Sequence, residues 1–357
     1  MKPIKNSHHT INGVLILAAV LVALHSCASM GDRGAADRAD DAPIMVPATV
    51  GDDSSLPVIQ AAGYRFHGEQ FGDPGNPPVI VLHGGPGADY RSLMGLRELA
   101  DEFRVVFYDQ RGSGLSPRVS ADELSFDGSV EDLRAIADVV APRRPIALVG
   151  HSFGGQLALA FATRYPARVS HLVLLEPGPI NREMAREGPT TGFSWELFRT
   201  GAAAGRESQR VSGPDEDARE DFRMGYIAFR SNPGYACEEA AGSGTGVGSA
   251  SEGEADLAHS PEEEYWRFGA VAFGRISDTL GQGTRRQRDL TIGIDAYGGE
   301  TVFVAGSCNT VIGPDFQRMQ AALIPAARLE VIEDAGHQLM LDQPEATVAV
   351  VRDALSR

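Results

Sequence analysis

Short runs of apolar residues recur along this chain at 78–82, 104–108, 145–149, 171–175 and 301–305, with a more amphipathic run at 328–332. Runs this short, without polar alternation, predict strands buried on both faces of a sheet. The earlier stretch 64–71 alternates weakly and ends in Gly72-Asp73-Pro74-Gly75-Asn76, so it reads as a strand closed by a turn, with ordered structure expected from about Val58. Apolar residues in 92–102, 130–140, 156–164 and 314–323 follow helical spacing, and a last helix is expected from about Pro344. Strand and helix alternate, which predicts right-handed crossovers and a mostly parallel central sheet with helices on both faces.

The alternation stops near Pro179 and resumes after Leu290. Residues 179–290 hold Trp195, Trp266 and many charges, and at 240–255 the small, polar, aperiodic tract AAGSGTGVGSASEGEA is expected to be a disordered loop. A mainly helical insertion inside an α/β sheet is a cap over the strand ends. The predicted organisation is a signal peptide at 1–26, a flexible linker at 27–57, an α/β core at 58–178 and 291–357, and the cap at 179–290.

Composition narrows the class. With 357 residues, 43% of them hydrophobic, the chain can bury a large core, and a net charge of −16 argues against nucleic acid or anionic membrane surfaces as partners. Lys2 and Lys5 precede the apolar run 14–24, which is too short to span a membrane and has the layout of a targeting segment. Leu24-His25-Ser26-Cys27 resembles a bacterial lipobox, in which cleavage before Cys27 leaves a lipid-modified cysteine that tethers the protein to a membrane. The alternative is an ordinary signal peptide cleaved after a small residue such as Ala28, giving a periplasmic or secreted protein. Either route leads to an oxidising compartment, where Cys237 and Cys308 can pair or both stay free.

The chemistry centres on Gly150-His151-Ser152-Phe153-Gly154-Gly155, which follows one strand run and opens a helical pattern. A strand running into G-x-S-x-G and then a helix is a nucleophile elbow, a strained turn that lifts Ser152 from the sheet edge. Two more motifs stand at the ends of predicted strands, His83-Gly84-Gly85-Pro86-Gly87 and Asp109-Gln110-Arg111-Gly112-Ser113-Gly114. Together the three resemble the proline iminopeptidase branch of the α/β-hydrolases, over roughly 64–178 and 301–357 but not over the cap.

The resemblance implies acyl transfer. Ser152 needs a base, and His337, after the last predicted strand, stands in the expected chain order. The amide of Phe153 and that of Gly84 or Gly85 are the expected oxyanion donors. His151 is expected to point away from the site and His83 to pack beneath the glycine loop, while His67, His171 and His259 read as structural or solvated.

The family usually carries an Asp after the strand at 301–305, and Asn309 stands in that place. Asparagine accepts a hydrogen bond from imidazole but does not stabilise imidazolium, a substitution that costs about 10⁴ in kcat where the acid is replaced by its amide. Glu176 ends the neighbouring strand run, and strands lie about 4.8 Å apart, so its side chain can reach His337 and is the expected acid. Asp315, Asp295 and an acid-free arrangement on Asn309 are the alternatives.

For the substrate, the resemblance implies a small molecule or short peptide whose free ammonium is held by an acid of the cap; the candidates are Glu196, Glu238, Glu239, Glu262, Glu263 and Glu264. The family's cap carries a Trp three residues before a Trp-Glu pair, and here Trp266 is followed by Gly269 and Ala270 at those places. That departure opens an alternative, a carboxylic ester or lactone hydrolase. Asn309 motivates a third reading, a catalytically silent binding fold, against which Ser152, His337 and the glycine loop stand. No metal or cofactor is expected, because the sequence shows no clustered His/Asp set and no nucleotide-binding glycine motif. The oligomeric state is left open.

Overall fold

In the computed structural model, which describes residues 43–188, 195–230, 236–237 and 265–357, the chain enters its main sheet through an antiparallel hairpin of β1 (Val58–Ala61) and β2 (Tyr64–Phe71). Six further strands follow: β3 (Pro78–Leu82), β4 (Arg104–Tyr108), β5 (Ile146–His151), β6 (Val169–Leu175), β7 (Glu300–Gly306) and β8 (Arg328–Ile332). Their order across the sheet is β8-β7-β6-β5-β3-β4-β2-β1. Only β1–β2 and β2–β4 pair antiparallel; the other neighbours are parallel.

Alternation within the apolar runs builds two core layers. β3 sends Val79 and Val81 to one face and Ile80 and Leu82 to the other, as β6 does with Val173 and Leu175 against Leu172 and Leu174. One layer is closed by α1 (Phe126–Val140) and α2 (Phe153–Arg164). The opposite layer packs against Leu93, Leu96 and Leu99 and the C-terminal helix that starts at Pro344. The stretch read as a helix at 92–102 is a 3₁₀ run, Arg91–Asp101. Its buried leucines recur every third residue, the spacing that lines up along a 3₁₀ helix and drifts around an α-helix.

The insertion carries α3 (Trp195–Glu207), α4 (Ala218–Arg230) and α5 (Ala270–Leu280), and is followed by α6 (Pro314–Ala321) and α7 (Pro344–Leu355) of the core. Its two ends are tied together where the Leu290 amide donates to the Ile180 carbonyl at 2.8 Å. Gln156 of α2 and Gln287 both donate to the carbonyl of Pro179.

The linker expected at 27–57 is structured in its second half. Ile44–Met45 pairs in parallel with Val211–Ser212 of the insertion, Val50 is fully buried, and its amide donates to Leu115 at 2.8 Å. Val46 and Val50 are the buried anchors of the short run 44–50, which Pro47 interrupts and which follows neither a strand nor a helix period. The tract at 240–255, the signal segment and Cys27 lie outside the described residues. No described helix is long and apolar enough to cross a membrane.

Candidate active site

Ser152 stands between β5 and α2 with φ 54° and ψ −117°, a backbone conformation that side chains rarely adopt and that surrounding contacts must hold in place. Its amide donates to the Leu175 carbonyl at 2.9 Å and its carbonyl accepts from Gly155 at 3.0 Å. The elbow is thus stitched to the end of β6, where the next site residue sits.

That residue is Glu176, which also has a positive φ, 44°. Its amide extends the ladder to Val304 of β7 at 2.9 Å, and the turn sends its carboxylate across the end of β7. Oε1 accepts from the Gly306 amide at 2.8 Å; Oε2 accepts from Asn309 Nδ2 at 2.6 Å and lies 2.7 Å from His337 Nδ1. The side chain is fully buried, and burial pushes its carboxyl up to about 8, against the pull of the Gly306 and Asn309 donors. Burial also drives the His337 imidazole down to about 4, which favours its neutral form.

The other candidate acids are elsewhere. Asp315 is almost fully exposed on α6 and pairs with Arg318 at 2.5 Å, and Asp295 is exposed in the turn Ile294–Ala296. Asn309 is next to the dyad, but as a donor to Glu176 rather than as the group facing the imidazole.

His151 departs from expectation. Its Nε2 lies 2.8 Å from the His337 carbonyl, a contact in which the imidazole donates, and the two rings are 4.6 Å apart. β5 ends by bringing the residue before Ser152 under the His337 loop, so His151 faces His337 instead of turning away. Burial pushes its imidazole down to about 3, so it acts as a neutral donor. The G-x-S-x-G pattern treats this position as variable, so nothing in the motif marks it.

The glycine loop lies against the nucleophile: a Cβ on Gly84 would sit 3.0 Å from Ser152 Cβ and 3.2 Å from His151 Nδ1. Gly85, with φ 110°, curls back toward the amides of Gly87 and Ala88, and Phe153 opens α2, where the first helical amides have no partner within the helix. His83 holds this loop from below. Its Nε2 accepts from the Gln110 amide at 2.9 Å, which places the proton on Nδ1 for donation to the Gly84 carbonyl at 2.9 Å.

The same loop anchors the cap. Asp89 Oδ2 accepts from the amides of Trp266 at 2.6 Å and Arg267 at 3.0 Å, and the Gly269 amide donates to Gly87 at 2.6 Å. Gly269 packs against the Gly112 carbonyl with no room for a Cβ. Of the acids named for substrate binding, Glu196 is described only in its backbone, and Glu238, Glu239, Glu262, Glu263 and Glu264 lie outside the described residues. Among the described residues, no group of three or more His, Cys, Asp or Glu side chains could hold a metal ion.

The sequence profile of the family described as alpha/beta hydrolase fold matches residues 77–344. The chain belongs to this family. This α/β-hydrolase is 26% identical over 302 residues to a proline iminopeptidase of Pestalotiopsis fici, covering 79% of this chain and 92% of that protein. A proline iminopeptidase of Heyndrickxia coagulans is 37% identical over 121 residues, a match that spans 33% of this chain and 42% of the relative. Among solved structures, Est816, described as an N-acyl homoserine lactone degrading enzyme, superposes with a TM-score of 0.60 at 18% identity, covering 83% of this α/β-hydrolase and 99% of that chain. A proline iminopeptidase-related protein from Thermus thermophilus gives 0.55 at 23% identity, with 84% and 96% covered. The structural likenesses speak for the shared fold.

Proposed function

We propose that this α/β-hydrolase is a serine hydrolase that works through an acyl-enzyme on Ser152 and releases N-terminal residues from short peptides, as the proline iminopeptidases do. Ser152 Oγ attacks the scissile carbonyl carbon while His337 Nε2 takes its proton. Glu176 holds Nδ1–H and stabilises the imidazolium, and the amides of Phe153 and of Gly84 or Gly85 receive the oxyanion. The imidazolium then protonates the leaving amine, and His337 activates the water that hydrolyses the ester. The observation that carries this reading is the 2.7 Å contact between His337 and a buried carboxylate beside a strained serine.

A second reading, a carboxylic ester or lactone hydrolase, is favoured by Gly269. Its packing against Gly112 leaves no room for the tryptophan that the iminopeptidase branch carries there. Turnover of a proline arylamide against a short-chain aryl ester separates the two. Release of the arylamine supports the peptidase reading; activity confined to the ester overturns it. A fluorophosphonate that fails to label Ser152 would sink both.

The export route is part of the proposal. The apolar segment 14–24 and Cys27 support a lipid-anchored protein of the bacterial cell envelope, and the Cys237–Cys308 disulfide fits an oxidising compartment. Cys27→Ser is then expected to move the protein from the membrane to the soluble fraction; unchanged fractionation overturns the anchor.

A further inference from the structure

We propose that Asn309 is a positioning residue for the catalytic carboxylate: its side-chain amide holds Oε2 of Glu176 in line with Nδ1 of His337. The inference rests on the reading of Glu176 as the acid behind the base and assigns a task to the residue that occupies the place where the family usually keeps that acid.

A glutamate reaching across a strand end has several side-chain torsions to fix, and each carboxylate oxygen here is fixed separately. Oε1 is held by the backbone amide of Gly306 at 2.8 Å, and Oε2, the oxygen facing the imidazole, by Asn309 Nδ2 at 2.6 Å. The orientation of the Asn309 amide is forced, because Oδ1 accepts from the amides of Val311 at 2.9 Å and Ile312 at 3.1 Å. Flipping it would set its NH₂ against two N–H groups and its carbonyl against a carboxylate. Asn309 is itself buried, and its loop is held by the Cys308 amide donating to Ala335 at 2.9 Å. The donor is therefore preorganised before substrate arrives.

The position also requires a neutral donor. Besides His337, the titratable groups with the largest effect on Glu176 are His151 of the elbow and Asp342 beyond the base loop. Neither is a permanent cation that could offset a second carboxylate. An aspartate at position 309 would oppose two acceptors in a buried site, where two close carboxylates must share a proton.

Asn309→Asp tests this, since one aspartate oxygen can still accept from Val311 and Ile312 while the donor to Glu176 is replaced by a second carboxylate. The assay uses whichever of the proline arylamide or aryl ester is turned over, with fluorophosphonate labelling of Ser152 as a second readout. For Asn309→Asp, kcat at pH 7 is expected to fall at least tenfold with KM within about threefold. The acidic limb of kcat/KM is expected to move up by about one pH unit. A profile and kcat equal to wild type overturn the proposal, leaving Asn309 a loop-capping residue.

Glu176→Gln, measured alongside, tests the underlying reading separately: if it retains wild-type kcat, Glu176 is not the acid, whatever Asn309 does. In the double variant E176Q/N309D, the amide introduced at position 176 donates to the carboxylate introduced at position 309, reversing the bond. This variant is expected to melt within a few degrees of wild type, well above N309D, while remaining inactive. A double variant that melts as low as N309D overturns the proposal even if N309D itself folds poorly.

Discussion

Oε2 of Glu176 lies 2.7 Å from Nδ1 of His337, although the glutamate leaves the sheet at the end of β6 and the histidine follows β8, with β7 between them. The reach is met by a longer side chain and a positive φ at Glu176, which turns the carboxylate toward the end of β7. Both partners are shifted by burial toward their neutral forms, Glu176 up and His337 down.

The sign of the pH dependence follows. In the proposed mechanism the working state has Glu176 ionised and His337 neutral, with one proton fewer than the state in which the pair holds its acidic proton. Burial raises the Glu176 carboxyl to about 8, so this proton is gained as pH falls through the mildly alkaline range. The depressed imidazole does not titrate there by itself. Thus kcat/KM should rise with pH between about 7 and 8, with an apparent acidic-limb pKa above the ordinary histidine value of about 6.5. A limb at or below that value would show Glu176 to be fully ionised at neutrality.

His151 should matter without touching substrate. His151→Leu removes the donor to the His337 carbonyl, a hydrogen bond whose net loss costs about 0.5–1.5 kcal/mol. The base loop then loses its tie to the elbow, and we expect kcat to fall about tenfold with a melting temperature several degrees lower. His151→Gln, which can still donate, should recover part of both. Equal activity in the leucine variant would show that the base loop needs no such tie.

Much of this site is legible in the chain because its chemistry is local. Ser152 and the glycine loop sit in motifs whose spacing follows from a strand, a tight turn and a helix. Strand spacing makes Glu176 one of several candidate acids in the sequence, and the pairing of β6 with β7 puts it within reach of His337. The missing parts depend on contacts between distant segments. No period reveals that His151 meets a carbonyl 186 positions away, that Asp89 binds amides at Trp266 and Arg267, or that the Val50 amide bonds the Leu115 carbonyl. The 3₁₀ run at Arg91–Asp101 reads as an α-helix in sequence because its three-residue spacing is a subset of the helical one.

Arg267 is expected to be the largest single contributor to cap attachment. Its side chain is fully buried, bonded to Asp221 at 2.8 Å, to Asp215 at 2.7 and 2.8 Å, and to the Pro47 carbonyl at 3.1 Å. It thus joins the N-terminal strap, α4 and the segment before α5. Among the described residues, Arg267→Met leaves the buried Asp221 carboxylate with Arg118 as its counter-charge, and should cost about 3–5 kcal/mol. That predicts a melting temperature lower by on the order of 10 °C. Adding Asp221→Asn should cost less than the sum of the single changes, because both remove the same Arg267–Asp221 ion pair. Strict additivity in differential scanning calorimetry would mean that the two side chains do not act together.

The Cys237–Cys308 bridge joins the insertion to the residue just before Asn309, closing a sequence separation of 71. Loop-closure entropy for a separation of that size is worth about 4 kcal/mol at 25 °C, so the Cys237→Ser/Cys308→Ser double variant should melt well below wild type. The acid loop keeps its own support, since position 308 still donates through its backbone to Ala335 and Asn309 still anchors on Val311 and Ile312. Stability and chemistry should therefore separate, with the double variant labelled by a fluorophosphonate at Ser152 within about threefold of the wild-type rate at about 20 °C. Loss of labelling in a variant that is still folded would instead make the bridge part of the site's support, with the cap holding Asn309 against Glu176 through Cys308.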